Sequence, residues 1–571
     1  MSTDSIVDED FGEGFEERAD QLTDEELRSG TVVEDQFAQV KSALIARGLV
    51  LIEGPRGCGK THMMRYAAIQ CREDATRPFA VYVSLNRYLR LEPLLNRRAD
   101  ALGLFQAWAL ALIARASIRA VEAIAPGRGD ELVRSTSLTV AHLDSLIGTL
   151  ERGIEPERDA RPTVLALTIE VVVSLVRRSA AAAGRRRTVL LLDDAALTLT
   201  REFLIEFFDL LRVLKTNDIS PKASVYPGST EYGPRFHADH EGRRVAAWLP
   251  VEDDRYIPIM KEIAAARFPT ALAVPEDVDR VLMYAAFGVP RAYLTMLRDW
   301  RAGAGRSGQA LLNEVVRSHR DARLAEFQSL AVKMPTLATL IRYGGKLFEQ
   351  MVGLLKERND HLAPQHLKQI LVAFKVEDFN PMARRMLSLL VEVGLVREEA
   401  EVSHGTARRI LPLAPHLGAL IAARAFEPGR GGGARVISDA LALKNDKHPL
   451  RPSMSKLLGE DYLAQLHLDE PPCQSCGTRR LSESQRFCHA CGKKLLNEST
   501  FDRCMRVEVG TVSGLTRWQN EKLTEVGFDT IGTIMAAQNP GSDIRAIRGM
   551  GPARTAHVLE AVQGYVDEFL S

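Results

Sequence analysis

The sequence lacks an excess of either charge, because 74 lysines and arginines face 74 aspartates and glutamates. No general positive field draws the chain to nucleic acid or to an acidic membrane, so any such binding must come from local patches. Long hydrophobic runs are also missing, since no stretch reaches the ~20 apolar residues that span a bilayer. The composition, 46% hydrophobic and 26% charged, predicts a soluble globular protein without a membrane partner.

The N-terminus has neither the basic start nor the apolar core of a signal peptide. Eleven carboxylates face one basic residue, Arg18, within the first 27 residues, and Phe11 and Phe15 lie among them. Residues 1–30 are therefore predicted to be either a flexible, solvated tail or a docking peptide for a protein partner. The missing leader predicts a cytoplasmic protein.

Cysteine is scarce, with seven in 571 residues. Four of them form two CxxC pairs, which in a chain without a leader favours metal binding over disulfides. The spacing Cys473-x2-Cys476-x11-Cys488-x2-Cys491 predicts a tetrahedral zinc site of four thiolates. Because protein fills all four positions, the zinc is expected to be structural, in a zinc ribbon at 471–497. The usual partners of such a module are nucleic acid or protein, and the sequence does not choose between them.

The chain is too long for one hydrophobic core and predicts three to five domains of roughly 100–200 residues. In its first half, apolar strands at 49–53, 79–85, 188–192 and 223–226 alternate with helical stretches. This alternation predicts an α/β fold with a parallel sheet covered on both faces. Residues 91–183 are almost wholly helical, which predicts a helical insertion between two strands of the sheet.

One motif carries a defined chemistry, a GxxxxGK[ST] pattern between an apolar strand and a helix. Its residues are Gly54, Pro55, Arg56, Gly57, Cys58, Gly59, Lys60 and Thr61. Glycines let successive backbone amides face the phosphates of a nucleotide, Lys60 would reach the β and γ phosphates, and the Thr61 hydroxyl would bind Mg²⁺. The sequence therefore predicts a site for ATP and Mg²⁺.

A phosphate loop needs acidic groups at the end of a neighbouring strand. The strand at 188–192 is followed by Asp193 and Asp194. Asp193 would hold Mg²⁺, and Asp194 takes the position of the catalytic base. Aspartate is one methylene shorter than the glutamate that most such enzymes carry, so ATP binding follows from the sequence more directly than rapid hydrolysis does.

The order of these motifs, followed by Gly288-Val289-Pro290-Arg291 on a helical stretch, resembles the AAA+ ATPases. Within that class the chain is similar to the origin-recognition ATPases and their signalling, STAND-like relatives. The resemblance implies that Arg291 is the sensor 2 residue, which reaches the γ-phosphate from the lid domain together with Lys60 from the loop. It places sensor 1 at Ser229 or Thr230. It also offers Arg235 as an arginine finger for a neighbouring subunit, which leaves a homo-oligomer open.

The similarity covers residues 31–310 and extends to 426, where a winged helix follows in this family. The sequence agrees, since a helix at 380–396 precedes a strand-turn-strand near 397–413. Four arginines on these elements are either phosphate contacts or the solvated surface of a protein-contact module. They are Arg384, Arg385, Arg408 and Arg409.

The C-terminus carries IRGMGPARTAHV at 547–558, which resembles the helix-hairpin-helix motif with Thr555 where alanine is usual. The resemblance implies a hairpin whose backbone amides meet a DNA phosphate at a helix N-terminus. The residues implied in this contact are Arg548, Gly549, Gly551 and Arg554. The alternative is a protein-binding copy of the same fold.

These patterns predict seven segments, helped by the sequence GRGGG at 429–433, which is typical of a linker. The segments are an acidic flexible N-terminus at 1–30, an AAA+ core at 31–250, a helical lid at 251–330, a winged-helix-like domain at 331–427, a linker at 428–470, the zinc ribbon at 471–497 and a helix-hairpin-helix domain at 510–571.

Two functions are compatible with this organisation. The first is a DNA-binding ATPase in which nucleotide changes the angle between the core and its lid and so alters how the C-terminal modules hold DNA. The second is a nucleotide-gated switch or scaffold with little turnover, acting through protein partners in regulation or defence. Asp194 in place of glutamate and the acidic N-terminus favour the second.

Overall fold

The computed structural model of the chain describes most of its residues. They are 19, 22–31, 36–134, 138–154, 156, 160–194, 200–228, 232–268, 274–303, 308–403, 409–427, 433–480, 485, 487–495, 500–537 and 539–569.

A five-stranded parallel sheet forms the centre of the first half of the chain. Its strands are β1 (Leu49–Glu53), β2 (Phe79–Ser84), β3 (Thr188–Asp193), β4 (Ile219–Val225) and β5 (Gly242–Ala246). Their order across the sheet is β2-β3-β4-β1-β5, and all neighbours are parallel. The predicted α/β fold with a parallel sheet is confirmed. Strand β5 is absent from the sequence-based prediction, because its residues, GRRVA, carry no apolar pattern.

Helices cover both faces of this sheet. Before β2 lie α1 (Asp24–Ser29), α2 (Gln36–Ile45) and α3 (Lys60–Glu73). Between β2 and β3 lie α4 (Glu92–Arg97), α5 (Ala101–Ile124), α6 (Arg128–Arg134), α7 (Val140–Leu150), α8 (Arg161–Ala166) and α9 (Ile169–Ala182). After β3 follow α10 (Arg201–Leu214) and α11 (Ala238–Glu241). The six helices α4–α9 are the helical insertion that the sequence predicts.

Within the described residues, one helix is long and apolar enough to cross a membrane by length and composition, and it is α5. However, 72% of its most apolar window is buried inside the protein. It packs on β2, α7 and α9 as a core helix of the insertion.

Alternate residues of the buried strands belong to two different cores. Val50 and Ile52 of β1 face a core shared with α2, α3 and the helices that follow the sheet in sequence. Leu49 and Leu51 face a core shared with the insertion and with the C-terminal helices. This division follows from the two-residue period of a strand. The sheet therefore separates two halves of the protein and presents its carboxyl edge between them.

A helical lid and a mixed domain follow the sheet. The lid consists of α12 (Tyr256–Arg267), α13 (Glu276–Ala285), α14 (Pro290–Ala302) and α15 (Gly308–Lys333). The next segment contains α16 (Ala338–Leu362), β6 (Leu367–Lys368), β7 (Val372–Lys375), α17 (Pro381–Glu392), β8 (Val396–Glu398), β9 (Val402–Ser403), β10 (Arg409–Pro415) and α18 (Leu417–Ala422). Strands β7, β10 and β8 form an antiparallel sheet to which β9 adds through β10.

Residues 433–470, the described part of the predicted linker at 428–470, are not a linker, contrary to the sequence-based expectation. It contains α19 (Ala434–Leu441), β11 (Lys444–Asn445), α20 (Met454–Leu458) and α21 (Tyr462–Gln465). Ile437, Leu441 and Leu457 are buried in the same core as the lid, and β11 pairs with β6. The glycine-rich run predicted a linker, but the apolar residues beyond it have a core to join, which local composition does not reveal.

The chain ends in α22 (Thr500–Met505), α23 (Arg517–Glu525), α24 (Ile531–Ala536), α25 (Pro540–Arg545) and α26 (Pro552–Phe569). Their buried residues, among them Leu523, Ile544 and Val558, join the core on the insertion side of the sheet. The C-terminal helices are thus packed on the first half of the molecule.

Part of the acidic N-terminus is folded, which corrects the prediction of a flexible segment at 1–30. Thr23 and Glu26 form a capping box that starts α1. Leu22 and Leu27 pack on Ile69 of α3 in a small core. Phe11, Phe15 and Arg18 lie outside the described residues.

Candidate nucleotide and nucleic-acid sites

The phosphate loop lies between β1 and α3, as predicted. Gly57 and Gly59 have φ angles of 89° and 86°, a left-handed conformation that glycine adopts without strain. A Cβ on Gly57 would lie 2.9 Å from the Val289 side chain and 3.1 Å from Cβ of Arg291. Gly57 is therefore required both for the turn of the loop and for the close approach of the lid.

Lys60 is held inside the loop. Its Nζ donates hydrogen bonds to the carbonyl oxygens of Gly54, at 2.5 Å, and Pro55, at 3.1 Å. The same Nζ lies 4.5 Å from the ring centroid of Tyr226. Burial lowers the pKa of Lys60. The ammonium is thus surrounded by loop carbonyls and one aromatic ring.

The two predicted carboxylates stand side by side at the end of β3. Asp193 is fully buried, and its oxygens accept hydrogen bonds from the Tyr82 hydroxyl (2.9 Å) and the Ser224 hydroxyl (2.8 Å). Asp194 has a left-handed φ of 52° and accepts a hydrogen bond from Ser84 Oγ (3.1 Å). Burial and the neighbouring Asp193 raise the pKa of Asp194 to about 7.

The hydroxyl of Thr61 and the carboxylate of Asp193 are the hard oxygen donors that Mg²⁺ prefers. Asp193 is locked by Tyr82 and Ser224, so its orientation is fixed before any ligand arrives. The residues present therefore fit Mg²⁺ beside the phosphates of a nucleotide. When bound, the ion would neutralise phosphate charge.

The lid delivers Arg291 to the phosphate loop through an unusual turn. Phe287 and Gly288 are both left-handed, with φ of 52° and 80°. A Cβ on Gly288 would lie 2.1 Å from the Leu249 carbonyl oxygen, so only glycine fits there. Helix α14 starts directly after this turn, and Arg291 N donates to Gly57 O at 3.4 Å. The structure thus brings the predicted sensor 2 residue to the loop.

A pocket with a volume of about 100 Å³, open to solvent, lies between the loop and the lid. His62 lies in its wall and shares a 2.6 Å hydrogen bond with Thr31 Oγ1, and burial lowers the pKa of His62 to about 4. The sequence analysis did not find the other lining residues, which come from four separate stretches: Ala19, Gly30, Thr31, His62, Met63, Ile263, Arg267 and Leu294.

The predicted sensor 1 residues, Ser229 and Thr230, lie outside the described residues. The end of β4 instead presents Tyr226 to Lys60. Arg235, the predicted arginine finger, is 73% exposed, with Asp209 at 3.4 Å. The role of Arg235 as an arginine finger stays a prediction.

Helix α17 does not have the surface of a DNA-reading helix in this arrangement. Its central residues, 386–391, are all buried, whereas a helix in a DNA groove must expose one face. Of the four arginines near it, Arg384 is paired with Glu398 at 2.7 Å and Arg409 with Glu401 at 3.6 Å. Arg408 lies outside the described residues.

The C-terminal end of α17 lies against the nucleotide site instead. A Cβ on Gly394, just after α17, would be 3.5 Å from Pro55 in the phosphate loop. A Cβ on Gly228, in the turn after β4, would be 3.4 Å from Cα of Ser388. The mixed domain therefore contacts the phosphate loop and the Tyr226 turn directly.

The four predicted zinc ligands converge. The sulfur atoms of Cys473, Cys476, Cys488 and Cys491 all lie within 4.8 Å of one another. The sulfur atoms of Cys473 and Cys491 are 3.6 Å apart, and those of Cys476 and Cys488 are 3.5 Å apart. Both distances are close to the ~3.8 Å edge of a tetrahedron with Zn–S of about 2.3 Å. Left-handed Gly477 and Gly492 turn both knuckles. The residues present fit one structural zinc.

The C-terminal segment has two consecutive helix pairs, α23–α24 and α25–α26, and the two helices of the second pair pack on each other. In the second, Gly549 has a φ of 94°, and a Cβ there would lie 3.0 Å from the ring of Trp518. Arg554 stacks over Trp518, 5.0 Å from its centroid, and donates to the Gly549 carbonyl at 2.8 Å. Gly551 and Arg548 are exposed. The four implied DNA contacts thus lie on the exposed turn before α26 and on the first turn of α26.

A parallel sheet in this order, with a phosphate loop after β1, acidic residues after β3 and an arginine supplied by a helical lid, is the fold of the P-loop ATPases of the AAA+ class. The model of the ORC-CDC6-like family matches residues 15–118 of this chain. The resemblance to the origin-recognition ATPases is therefore confirmed for the part of the chain that contains the phosphate loop.

Two solved structures share low similarity with the chain. The Walker-type ATPase of Pyrococcus abyssi has 14% identity and a TM-score of 0.35, covering 76% of this chain and 99% of that one. The Orc1 protein of Aeropyrum pernix, solved in complex with DNA, has 15% identity and a TM-score of 0.30, covering 68% and 90%. Similarity at this level carries no functional argument. Among curated proteins, none matches the sequence.

Proposed function

We propose that this protein binds ATP and Mg²⁺ at the phosphate loop and that its nucleotide state controls how the second C-terminal hairpin holds DNA. The observation that carries the proposal is that the C-terminal helices share a hydrophobic core with the ATPase sheet and its insertion. The module proposed to bind DNA is thus packed on the element that senses nucleotide.

Polar contacts at this interface support the coupling. Arg90, only 7% exposed, pairs with Asp567 of α26 at 2.9 Å. Glu92 accepts a hydrogen bond from the Phe501 amide at 3.3 Å, and burial raises the pKa of Glu92 to about 7. Both residues follow β2 by a few positions, and Ser84 at the end of β2 bonds to Asp194. The segment from Ser84 to Glu92 therefore joins the carboxylates Asp193 and Asp194 to the C-terminal domain.

The charge on the two hairpins differs and supports a single DNA contact. The second carries exposed Arg545 and Arg548 beside Arg554, whereas the first carries exposed Glu525 and Asp529 around Gly527. Backbone amides at a helix N-terminus bind phosphate without reading bases. The proposed DNA binding is therefore independent of base sequence and sensitive to salt.

The mixed domain has a different place in this proposal. Its order of α16, β7, α17 and antiparallel strands supports a winged-helix-like domain over about the predicted span. Helix α17 is buried against the turn after β4, so we assign the mixed domain the role of transmitting the nucleotide state of the loop and lid. We assign the zinc module a structural role before the C-terminal hairpins. Segments 251–330 and 510–571 remain the proposed lid and helix-hairpin-helix domain.

The test is DNA binding by the intact protein with and without ATP, using labelled duplex and single-stranded DNA. Removing the C-terminal region would expose the shared core, so point variants are required. Arg548→Ala with Arg554→Ala should weaken binding and reduce the salt dependence of log K by up to about 2, since each phosphate contact contributes about 0.9. Arg435→Ala, an exposed arginine of α19, is the control. No DNA binding by the unaltered protein contradicts the proposal.

Asp194 supports a second function, a nucleotide-gated switch with little turnover that acts on protein partners. Its short side chain is turned by a left-handed backbone and tied to Ser84, which restricts its reach to an attacking water. Steady-state ATP hydrolysis of the unaltered protein and of Asp194→Asn separates the two. A rate that collapses in the variant supports an ATPase, whereas negligible rates in both with ATP still bound support the switch.

A further inference from the structure

Tyr226 occupies a place beside the phosphate loop that no motif assigns. It directly follows β4, whose Val225 lies opposite Glu53 of β1 and accepts a hydrogen bond from Gly54 N at 3.3 Å. The register therefore sets Tyr226 next to the first residue of the loop. Its ring covers Nζ of Lys60 at 4.5 Å.

The surroundings make this contact stronger than a surface pair. Lys60 is half-buried, and its hydrogen bonds go to two loop carbonyls. Burial raises the pKa of Tyr226, so the ring is a neutral phenol at physiological pH. Cation–π attraction increases when water is excluded from the ammonium. The Tyr226 ring thus adds a third contact to the Lys60 ammonium, beside its hydrogen bonds to the two loop carbonyls.

We propose that Tyr226 is a positioning residue that fixes Lys60 for phosphate binding through the face of its ring. A lysine side chain has four rotatable bonds and loses entropy when a ligand immobilises it. A side chain already fixed by a ring and two carbonyls has less entropy to lose. The proposal rests on the phosphate site of the proposed function and adds a residue to it.

The position of the ring also explains why the following turn is tightly packed. Gly228, two residues later, has a φ of 81° and lies against Ser388 and Val391 of α17. This packing prevents the turn from swinging away from Lys60. Helix α17 therefore packs on the turn that follows Tyr226.

The test measures ATP affinity with Mg²⁺ by calorimetry on the full-length protein and three variants. Tyr226→Leu keeps an apolar side chain without a ring and should weaken binding by about three- to tenfold, the loss expected for one freed side chain. Tyr226→Phe keeps the ring and should restore most of the affinity. Tyr232→Leu removes another tyrosine that a cation covers, Arg244 at 5.4 Å, and controls for general loosening.

Lys60→Met decides whether Tyr226 acts through the lysine. In that background, Tyr226→Leu should cause no further loss of ATP affinity. A Tyr226→Leu affinity equal to or tighter than that of the unaltered protein overturns the inference, as does a Tyr226→Phe variant that is as weak as Tyr226→Leu. Absence of ATP binding by the unaltered protein is a different result, because it contradicts the proposed function itself.

Discussion

Arg90 and Asp567, 477 positions apart in the sequence, form an ion pair with 2.9 Å between Nη2 and Oδ1. The arginine follows the second strand of the ATPase sheet, and the aspartate lies in the last helix. Their contact joins the ATPase core to the proposed DNA-binding domain.

Reversing one charge of this pair should loosen the C-terminal domain, and reversing both should restore it. Arg90→Asp or Asp567→Arg alone leaves a like-charge pair at a mostly buried site and should cost about 1–3 kcal/mol, less than a fully buried pair because Asp567 is 32% exposed. Limited proteolysis between residues 495 and 569 provides the measurement. Equal protection of the single and double variants would show that the pair does not hold the domain.

Gly288→Ala should abolish nucleotide binding as well as destabilise the fold. The new Cβ would lie 2.1 Å from the Leu249 carbonyl oxygen, which moves the start of α14 and displaces Arg291. Gly127→Ala is the matched control, since Gly127 has a similar φ of 84° with nothing within 4 Å of the added Cβ. In the control, the free energy of unfolding should fall only by the cost of placing alanine in a left-handed backbone conformation, about 1–2 kcal/mol. Denaturant unfolding and ATP affinity distinguish the variants.

Because of Lys222, the free energy of unfolding should increase as the pH is raised above 7. It is fully buried in β4 and donates to the carbonyls of Ala46 and Gly48, and burial lowers its pKa from 10.5 to about 7. Between these values the unfolded chain holds a proton that the folded chain has released, so raising the pH favours folding. The gain should be roughly 2 kcal/mol from pH 7 to pH 9.

Lys222→Met removes this component of the pH dependence. The variant is expected to be less stable overall, because two buried carbonyls lose their donor, but its unfolding free energy should be flatter from pH 7 to pH 9. Parallel pH profiles for the two proteins would rule out a shifted pKa at Lys222.

Zinc should be present at one ion per chain and should be lost with any of the four ligands. Cys491→Ser removes one thiolate from the converging set, and metal analysis after gel filtration measures the stoichiometry. Cys71→Ser changes a buried cysteine of α3 that has no ligand partner at this spacing, so it should keep its zinc. Retention of the full zinc content in Cys491→Ser would contradict a four-cysteine site.

Motifs of local spacing were predictable because their chemistry depends on neighbours in the sequence. The loop from Gly54 to Thr61 must turn within eight residues, and each CxxC pair sets its own knuckle. Tyr226 and Thr31 could not be found in this way. They reach the nucleotide site through strand register and through the packing of α1 on α3, and a lone tyrosine or threonine has no pattern that marks it.

The same limit explains the error on the segment at 428–470 and the two roles left open for the arginines around α17. Those arginines allowed either phosphate contacts or the surface of a protein-contact module, and the glycine-rich run predicted a linker. Both interpretations treated a segment alone, whereas burial depends on which surface it meets. The core beside the lid buries Leu390 of α17 together with Leu441 of α19.

The sequence by itself determined the phosphate loop, the acidic pair Asp193–Asp194, the four-cysteine site and the parallel α/β class, because each follows from short-range geometry or from the period of apolar residues. Only the tertiary structure decided that Tyr226 covers Lys60, that α17 is buried beside the loop and that Arg90 holds Asp567. Those contacts join residues far apart in the chain, and they exist because the two faces of one sheet bury two separate cores.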